Sequence, residues 1–364
     1  MGLNLRRLEK VGKNALWDIL GLFFSKRKPQ PGFSGDLAEI KSVLVVRPDR
    51  LGDVVLSTPV YESIKASIPG VKLTVLVDQS NAGLIANNPH VDEVLKWNSK
   101  RPWEILRPLR RGRFDLAFTL NKTFSATASV LILLSRAICR VGYENPQSAW
   151  MYDVHVKIDN NPRHEIENNL ELLKAAGLTK ILPAPKLFFN EKEEQTIDAL
   201  LCAKRKHPDR PLVLIKPGTR IPEWGWRLDK FQKVADHLLQ TETAEVFLIS
   251  GPGEENMTDE FLRGMEHPPF RLPALSVMEL ALLIQKSDLL FCNHTGIMHL
   301  ASAVKTPALV IFKHGEIARW GPYNTPNIIL EERFSDSLTQ ETVLESIDEL
   351  LKVGKSRLQE EPGH

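Results

Sequence analysis

Short apolar runs recur along the chain, each closed by a polar turn and followed by a segment whose apolar residues return at helical spacing. In the first half the runs predict strands at Val43–Val46, Leu73–Val77, Val91–Leu95, Leu116–Leu120 and Cys139–Gly142. Between them the spacing predicts helices at Val54–Ser67, Ser80–Ala86, Trp103–Arg111 and Phe124–Arg136, with a last one around Asn168–Ala176 that ends at Gly177. The second half opens with a helix near Glu191–Arg205 and resumes the alternation. Its strands are expected at Leu212–Lys216, Val246–Ser250, Leu289–Cys292 and Ala308–Phe312. Its helices are expected at Asp229–Gln240, Glu254–Gly264, Val277–Lys286, Ile297–Val304 and Thr339–Val353, the last behind a capping box in Ser337-Leu338-Thr339-Gln340. Strands separated by helices pair in parallel through right-handed crossovers, so the pattern predicts two doubly wound α/β domains.

Two proline-rich passages punctuate the pattern: Pro29-Gln-Pro-Gly-Phe33 and Leu182-Pro183-Ala184-Pro185. They suggest a leading segment 1–39, a domain 40–182 and a domain 183–364. In the leading segment Leu5, Leu8, Leu16, Ile19, Leu20 and Phe23 return at helical spacing, with Arg6, Arg7, Lys10 and Lys13 elsewhere and Lys26-Arg27-Lys28 following. The stretch is shorter than the roughly 18–20 apolar residues of a spanning helix and lacks a small-residue cleavage site. It reads as a basic amphipathic helix, lying on an anionic membrane surface or docked on the protein itself or a second copy.

A hydrophobic content of 43% with 25% charged residues is that of a globular protein, and 364 residues suffice for two full cores. The net charge of +2 gives no argument for nucleic acid. Cys139, Cys202 and Cys292 share no close spacing and read as reduced, buried thiols in a cytosolic protein, with neither a disulfide framework nor a zinc site.

Chemistry concentrates where strands run into helices. In Leu51-Gly52-Asp53-Val54, Gly52 permits a tight turn and Asp53 enters the next helix, either as its cap or as a general base. Asp49 is a second carboxylate in the same loop. Lys216-Pro217-Gly218-Thr219-Arg220 and Trp224-Gly225-Trp226-Arg227 offer backbone amides, the Thr219 hydroxyl and the Arg220 or Arg227 guanidinium to a diphosphate. Ser250-Gly251-Pro252-Gly253-Glu254 allows close approach of a base or ribose, with Glu254 accepting from hydroxyls. The turn Asn293-His294-Thr295-Gly296 opens a helix carrying His299, and a helix N-terminus attracts phosphate. His299 reads equally as a core histidine and His294 as a surface one. Lys100, Arg101, Arg107, Arg110, Arg111 and Arg113 form a basic run that suits an anionic ligand or is a solvated helix face. G-x-G-x-x-G, G-x-S-x-G, a Walker-type loop and metal-ligand spacing are all missing.

Taken in order, these pieces resemble glycosyltransferase family 9, the heptosyltransferases of the GT-B fold. The matching stretches run from Val43–Arg47 and Arg50–Pro59 through Asn88–Val94, Phe114–Ala117, His164 with Asn169–Leu173, Lys216–Gly218 and Asn293–Ala303 to Trp320–Tyr323. The resemblance implies two Rossmann-like domains around a cleft. The C-terminal domain would bind a nucleotide sugar, ADP-heptose in the best-known members, and the N-terminal domain a lipopolysaccharide-core acceptor. It implies Asp53 as catalytic base of an inverting displacement, Thr295 and Gly296 as the diphosphate-binding turn and His299 as the family's helix histidine. It implies no cofactor and no obligatory metal. Arg50, Gly52, Lys100, Arg101, Arg110 and Arg111 are then expected to bind the acceptor; Thr219, Arg220, Arg227, Glu254 and His294 join the donor site, where Lys313 and His314 add positive charge. With the leading helix, the basic run points to a peripheral enzyme on the cytoplasmic face of a bacterial inner membrane. His294 stands where the family usually has Asp, the family's Lys ahead of a Trp falls near Trp224-Gly225, and Phe-Gly-Pro-Thr is replaced by Phe312-Lys313-His314-Gly315. These departures leave room for a different nucleotide sugar or for a non-catalytic sugar-nucleotide or glycan-binding relative.

Overall fold

The computed structural model describes residues 35–159, 161–332 and 337–360. The expected amphipathic helix at Leu3–Phe24 and the linker at Pro29–Phe33 lie outside these residues. The chain divides into two compact units between Ala184 and Pro185.

The first unit holds β1 (Ser42–Arg47), α1 (Leu51–Val55), α2 (Thr58–Ser67), β2 (Lys72–Asp78), β3 (Glu93–Trp97), α3 (Leu106–Arg111), β4 (Leu116–Thr119), α4 (Ala126–Ser135), β5 (Cys139–Tyr143), β6 (Val154–Val156) and α5 (Glu165–Ala175). Its six strands lie in the order β3-β2-β1-β4-β5-β6, and every pairing is parallel. The second unit holds α6 (Glu191–Lys204), β7 (Leu212–Lys216), α7 (Leu228–Gln240), β8 (Glu245–Leu248), α8 (Glu255–Arg263), β9 (Phe270–Arg271), α9 (Val277–Gln285), β10 (Leu289–Asn293), α10 (Ile297–Val304), β11 (Ala308–Phe312), α11 (Ile317–Trp320), β12 (Asn327–Glu331) and α12 (Gln340–Glu360). Its order β12-β11-β10-β7-β8-β9 repeats the connectivity of the first sheet. In each unit the chain winds outward from the first strand and then crosses to the other side. The strand order therefore reverses between β1 and β4, and between β7 and β10. In doubly wound sheets a ligand crevice opens at the carboxyl ends of such a pair.

Central strands such as Val43–Arg47 and Ala308–Phe312 are buried throughout, because helices cover both faces of a parallel sheet. One core gathers Leu44, Val46, Leu76, Phe114 and Leu131. Another gathers Ile215, Phe231, Phe291 and Val343.

Several local expectations are corrected. The helix expected at Val54–Ser67 is two helices, interrupted at Leu56-Ser57. There the hydroxyls of Ser57 and Thr58 donate to the carbonyls of Val54 and Val55, and Pro59 sits in the first turn of α2, where a missing N–H costs nothing. Ser80–Ala86 is a 3-10 segment, Gln79–Ile85, and the helix expected from Trp103 begins as a 3-10 turn, Pro102–Ile105. The helix expected around Asn168 starts at Glu165, behind a capping box of His164 and Glu167. The capping box expected from Ser337 gives way to Thr339, whose Oγ1 accepts the Thr342 N–H at 3.3 Å. Strands β6, β9 and β12 carry no apolar run long enough to be seen in sequence. Cys202 is exposed; Cys139 and Cys292 are buried. Among the described residues no helix is long and apolar enough to cross a membrane.

Candidate active site

In the first unit the carboxyl ends of β1 and β4 carry a cluster around one guanidinium. β1 is apolar up to its last residue, Arg47, which is 1% exposed and so requires buried partners. Its Nη1 donates to the Leu120 carbonyl at 2.6 Å. Its Nη2 donates to Asp53 Oδ1 and to Glu165 Oε1, both at 2.9 Å, and its Nε lies 3.5 Å from Asp49 Oδ2. Asn121 Nδ2 donates to Asp49 Oδ2 at 2.9 Å, tying the loop after β4 to the loop after β1.

Asp53 sits in α1 with 22% of its side chain exposed. Burial pushes its carboxyl above the ordinary range; Arg47 pulls it down, but Asp49 and Glu165 push it up again, and the net shift is upward. Burial alone would lower Arg47, yet Asp53, Glu165 and Asp49 outweigh it and hold the guanidinium charged. Asp53 is thus an anchored carboxylate with more proton affinity than an exposed one. Gly52 is buried within α1 and has no positive φ, so the tight turn expected there is a helical one.

Arg50 caps α1 through its backbone geometry and its side chain is exposed. Lys100 and Arg101 follow β3 on the same edge of the sheet, two strands from β1, about 10 Å at about 4.8 Å per strand. Both are exposed, and Arg101 pairs with Glu104 at 3.3 Å. Arg110 and Arg111 are placed elsewhere. They end α3, and the chain then passes Arg113, whose carbonyl accepts from Ser42 Oγ at 2.9 Å at the start of β1. The whole strand, roughly 17–20 Å, separates that edge from Asp53. The sequence places the six basic residues together; the crossover splits them between opposite ends of the sheet.

In the second unit the equivalent strand ends are those of β7 and β10. β7, like β1, closes on a buried cation. Lys216 is 9% exposed; its Nζ reaches both oxygens of Glu254 at 2.7 Å and the Gly218 carbonyl at 3.0 Å. Glu254 also accepts the Gly251 N–H at 2.7 Å. A Cβ at Gly218 would lie 2.3 Å from the Glu254 carboxyl carbon, so a side chain there would displace the carboxylate from Lys216. Glu254, expected to meet ribose hydroxyls, is anchored by Lys216 and remains partly exposed. Asn293 is fully buried; its Nδ2 donates to the Pro217 carbonyl at 2.6 Å and its Oδ1 accepts the Trp226 N–H at 2.9 Å, so β10 clamps both ends of the loop after β7.

Within that loop the Thr219 hydroxyl donates to the Ile221 carbonyl, which uses its only proton. Arg227 is exposed at the cap of α7 and forks onto Asp229, with Nε–Oδ1 2.9 Å and Nη2–Oδ2 3.0 Å. The loop cation expected at Arg227 is therefore committed to a local pair. Arg220 is exposed and, among the described residues, makes no ion pair. At the start of α10, Gly296 is the cap; the Met298 and His299 N–H groups donate to the Thr295 and Gly296 carbonyls at 3.2 Å, while among the described residues those of Thr295, Gly296 and Ile297 make no backbone hydrogen bond. Thr295 Oγ1 is buried and without a hydrogen-bond partner. His299 is buried on α10, 4% exposed.

His294 is half-buried, not a surface residue. Its ring stacks on Phe312, with centroids 4.1 Å apart and planes 16° from parallel, and Nδ1 lies 3.0 Å from the His314 carbonyl. A carbonyl only accepts, so Nδ1 carries the proton. Burial lowers its pKa against the opposing pull of that hydrogen bond, so the ring is neutral at pH 7. Gly315, at φ +102°, makes room: a Cβ there would be 2.6 Å from the His294 ring. Among the described residues no group of three or more His, Cys, Asp or Glu is arranged to hold a metal ion.

Glu165 is the residue that local sequence reasoning passed over, and Lys216 and Asn293 stood in its motifs without a role. The signal available was Arg47 and Lys216 themselves, a basic residue closing an apolar strand, which demands a buried acid without saying where.

Two doubly wound α/β units in one chain, each with polar residues gathered at its switch point, are the fold of the GT-B glycosyltransferases. The model of glycosyltransferase family 9 (heptosyltransferase) matches residues 103–346, and the chain belongs to that family. It is a glycosyltransferase. It is 27% identical over 301 residues to lipopolysaccharide heptosyltransferase 3 of Escherichia coli K12, covering 76% of this chain and 84% of the relative. It is 22% identical over 293 residues to the lipopolysaccharide core heptosyltransferase OpsX of Haemophilus influenzae, covering 78% and 82%. Among solved structures, a family 9 glycosyltransferase from Veillonella parvula superposes with a TM-score of 0.79 at 19% identity, covering 87% of this chain and 99% of that one. E. coli ADP-heptose lipopolysaccharide heptosyltransferase II gives 0.74 at 18%, covering 86% and 99%.

Proposed function

We propose that this enzyme moves heptose from ADP-heptose onto the core of lipopolysaccharide or a related anionic glycolipid, with inversion, and that Asp53 is the general base. The observation that carries the reading is Asp53 itself. It lies at the switch-point end of β1, in the Gly-Asp-Val turn, partly exposed and held with raised proton affinity. Two named relatives act on lipopolysaccharide. A structural neighbour, the E. coli heptosyltransferase WaaC, is solved with ADP and with ADP-2-deoxy-2-fluoro heptose.

In this reading the acceptor hydroxyl oxygen bonds to the anomeric carbon through an oxocarbenium-like transition state, as the bond from that carbon to the diphosphate oxygen breaks. The hydroxyl proton passes to an Asp53 carboxylate oxygen, and ADP departs with the bonding pair. Charge on the departing diphosphate is met by the N–H groups at Thr295–Gly296, by the unpartnered Thr295 hydroxyl and by Arg220. His299 supports that turn from within α10. Thr219 and Arg227 form the loop rather than contact the phosphate, and Lys216 with Glu254 is its fixed base. Arg50, Lys100 and Arg101 are assigned to the anionic acceptor. Because such an acceptor is lipid-borne, we place the enzyme on the cytoplasmic face of the inner membrane, with residues 1–34 contributing to attachment.

A second reading, transfer of another sugar from its nucleotide, is favoured by His294: a neutral ring replaces a carboxylate beside the donor turn. The test is turnover of ADP-heptose with truncated lipopolysaccharide. Asp53→Asn should lower kcat by about 10²–10⁴ while nucleotide binding persists. Wild-type turnover in that variant removes Asp53 from the mechanism. Transfer from another nucleotide sugar in preference to ADP-heptose selects the second reading, and nucleotide binding without any transfer overturns both.

A further inference from the structure

We propose that Glu165 is a positioning residue for the transfer: by sharing one guanidinium nitrogen of Arg47 with Asp53, it limits the charge Asp53 receives and keeps Asp53 a proton acceptor. The inference rests on the reading of Asp53 as the base.

A carboxylate alone beside an arginine is a poor base, since an opposite charge within about 4–6 Å lowers its pKa by about 1–3 units. Asp53 is in that position, 2.9 Å from Arg47 Nη2. The same nitrogen is 2.9 Å from Glu165 Oε1. Both Arg47 and Glu165 have side chains almost wholly buried, 2% and 1% exposed, so water does not weaken their attraction. Glu165 is the first residue of α5, so its side chain is anchored at a helix start. Asp49 takes a further share at Nε. The charged groups facing Asp53 are thus Arg47 from β1, Asp49 from the loop and Glu165 from α5, with Arg50 contributing only through its backbone. One cation is divided among three carboxylates, and Asp53, the most accessible partner of that nitrogen, is left under-neutralised.

Stability does not explain the arrangement. Closing an apolar strand with an apolar residue is often as favourable as a buried ion cluster. What the cluster does provide is an aspartate fixed in place by an arginine without being quenched by it.

The test uses the full chain with Glu165→Gln, which keeps shape and an acceptor for Arg47 and removes the charge. The Asp53 titration is read directly by carbon-13 NMR of aspartate-labelled protein, assigned against Asp53→Asn, and the acid limb of kcat is read with ADP-heptose and truncated lipopolysaccharide. The Asp53 midpoint should fall by about one pH unit, with the acid limb of kcat moving alongside and plateau kcat falling roughly two- to tenfold at unchanged KM. Asp49→Asn removes the other carboxylate that pushes Asp53 upward and should move the midpoint in the same direction by at least as much, and it tests the sharing of the Arg47 charge if Glu165→Gln does not fold. A midpoint that stays put in the folded variant overturns the proposal. A midpoint that moves while the kcat limb does not overturns instead the reading of Asp53 as base, and the catalytic role of Glu165 with it.

Discussion

Replacing Arg47 by methionine keeps most of the side-chain volume and deletes the charge on which the β1 end is built. Glu165, 1% exposed, would be left in the interior with no cation against it. Breaking a buried pair in this way costs about 3–5 kcal/mol, because the remaining group stays desolvated. The Leu120 carbonyl also loses its donor at 2.6 Å, which adds about 1 kcal/mol. The expected loss is about 5 kcal/mol from the first unit. For a unit of this size that corresponds to a fall in Tm of about 10–20 °C. Adding Glu165→Gln to Arg47→Met removes the stranded acid, so the double variant should recover about 2–3 kcal/mol instead of losing more. The assay is urea denaturation of the full-length single and double variants. The unfolding of the first unit is followed through hydrogen exchange of the β1 amides, Val43–Arg47, since two units need not unfold in one transition. Strict additivity of the two substitutions, or an unchanged midpoint for Arg47→Met, would refute the view that the guanidinium neutralises Glu165.

Three further outcomes follow from the same geometry. Asp53 has its folded-state pKa raised above the unfolded value near about 3.9, so its ionised form destabilises the fold at neutral and alkaline pH, and the cost disappears as pH falls through the raised value. Asp53→Asn should therefore melt at or above wild type at pH 8, the difference closing toward pH 4, as scanning calorimetry would show; a lower melting point at pH 8 contradicts it. Gly315→Ala puts an L side chain at φ +102° and a Cβ against the His294 ring. It should lower Tm, by about 1–3 kcal/mol of strain, and let the His294 pKa return toward about 6.5 in an NMR titration. Arg110→Ala with Arg111→Ala, at the far edge of the first sheet, should leave KM for the glycolipid within about twofold of wild type.

How much of this was readable in advance depended on burial. Strands such as Val43–Val46 and Ala308–Phe312 announce themselves because parallel strands covered on both faces are apolar without interruption. β6, β9 and β12 lie at or toward the sheet margins, short or partly exposed, and show no such run. The helix break at Ser57 was hidden because its apolar spacing continues across it; only the hydroxyl bonds and Pro59 mark it. Asp53, Thr295 and Gly296 could be singled out because strand-end residues are local in sequence. The partners that set their behaviour are not local. Glu165 lies 118 residues from Arg47, and Asn293 lies 76 from Pro217, and only the strand order brings them together. The same order separates Arg110 and Arg111 from Lys100 and Arg101, which sequence proximity had joined.

The repeated strand order has a consequence for synthesis on the ribosome. Every strand of the first sheet lies between Ser42 and Val156, and none is borrowed from the later half. At about 5–20 residues per second, that sheet is fully translated about 9–35 seconds before the last strand of the second is made. The nascent chain can therefore close its first hydrophobic core while the second is still being polymerised, and β1, flanked early by β2, waits for β4 rather than for anything beyond Pro185.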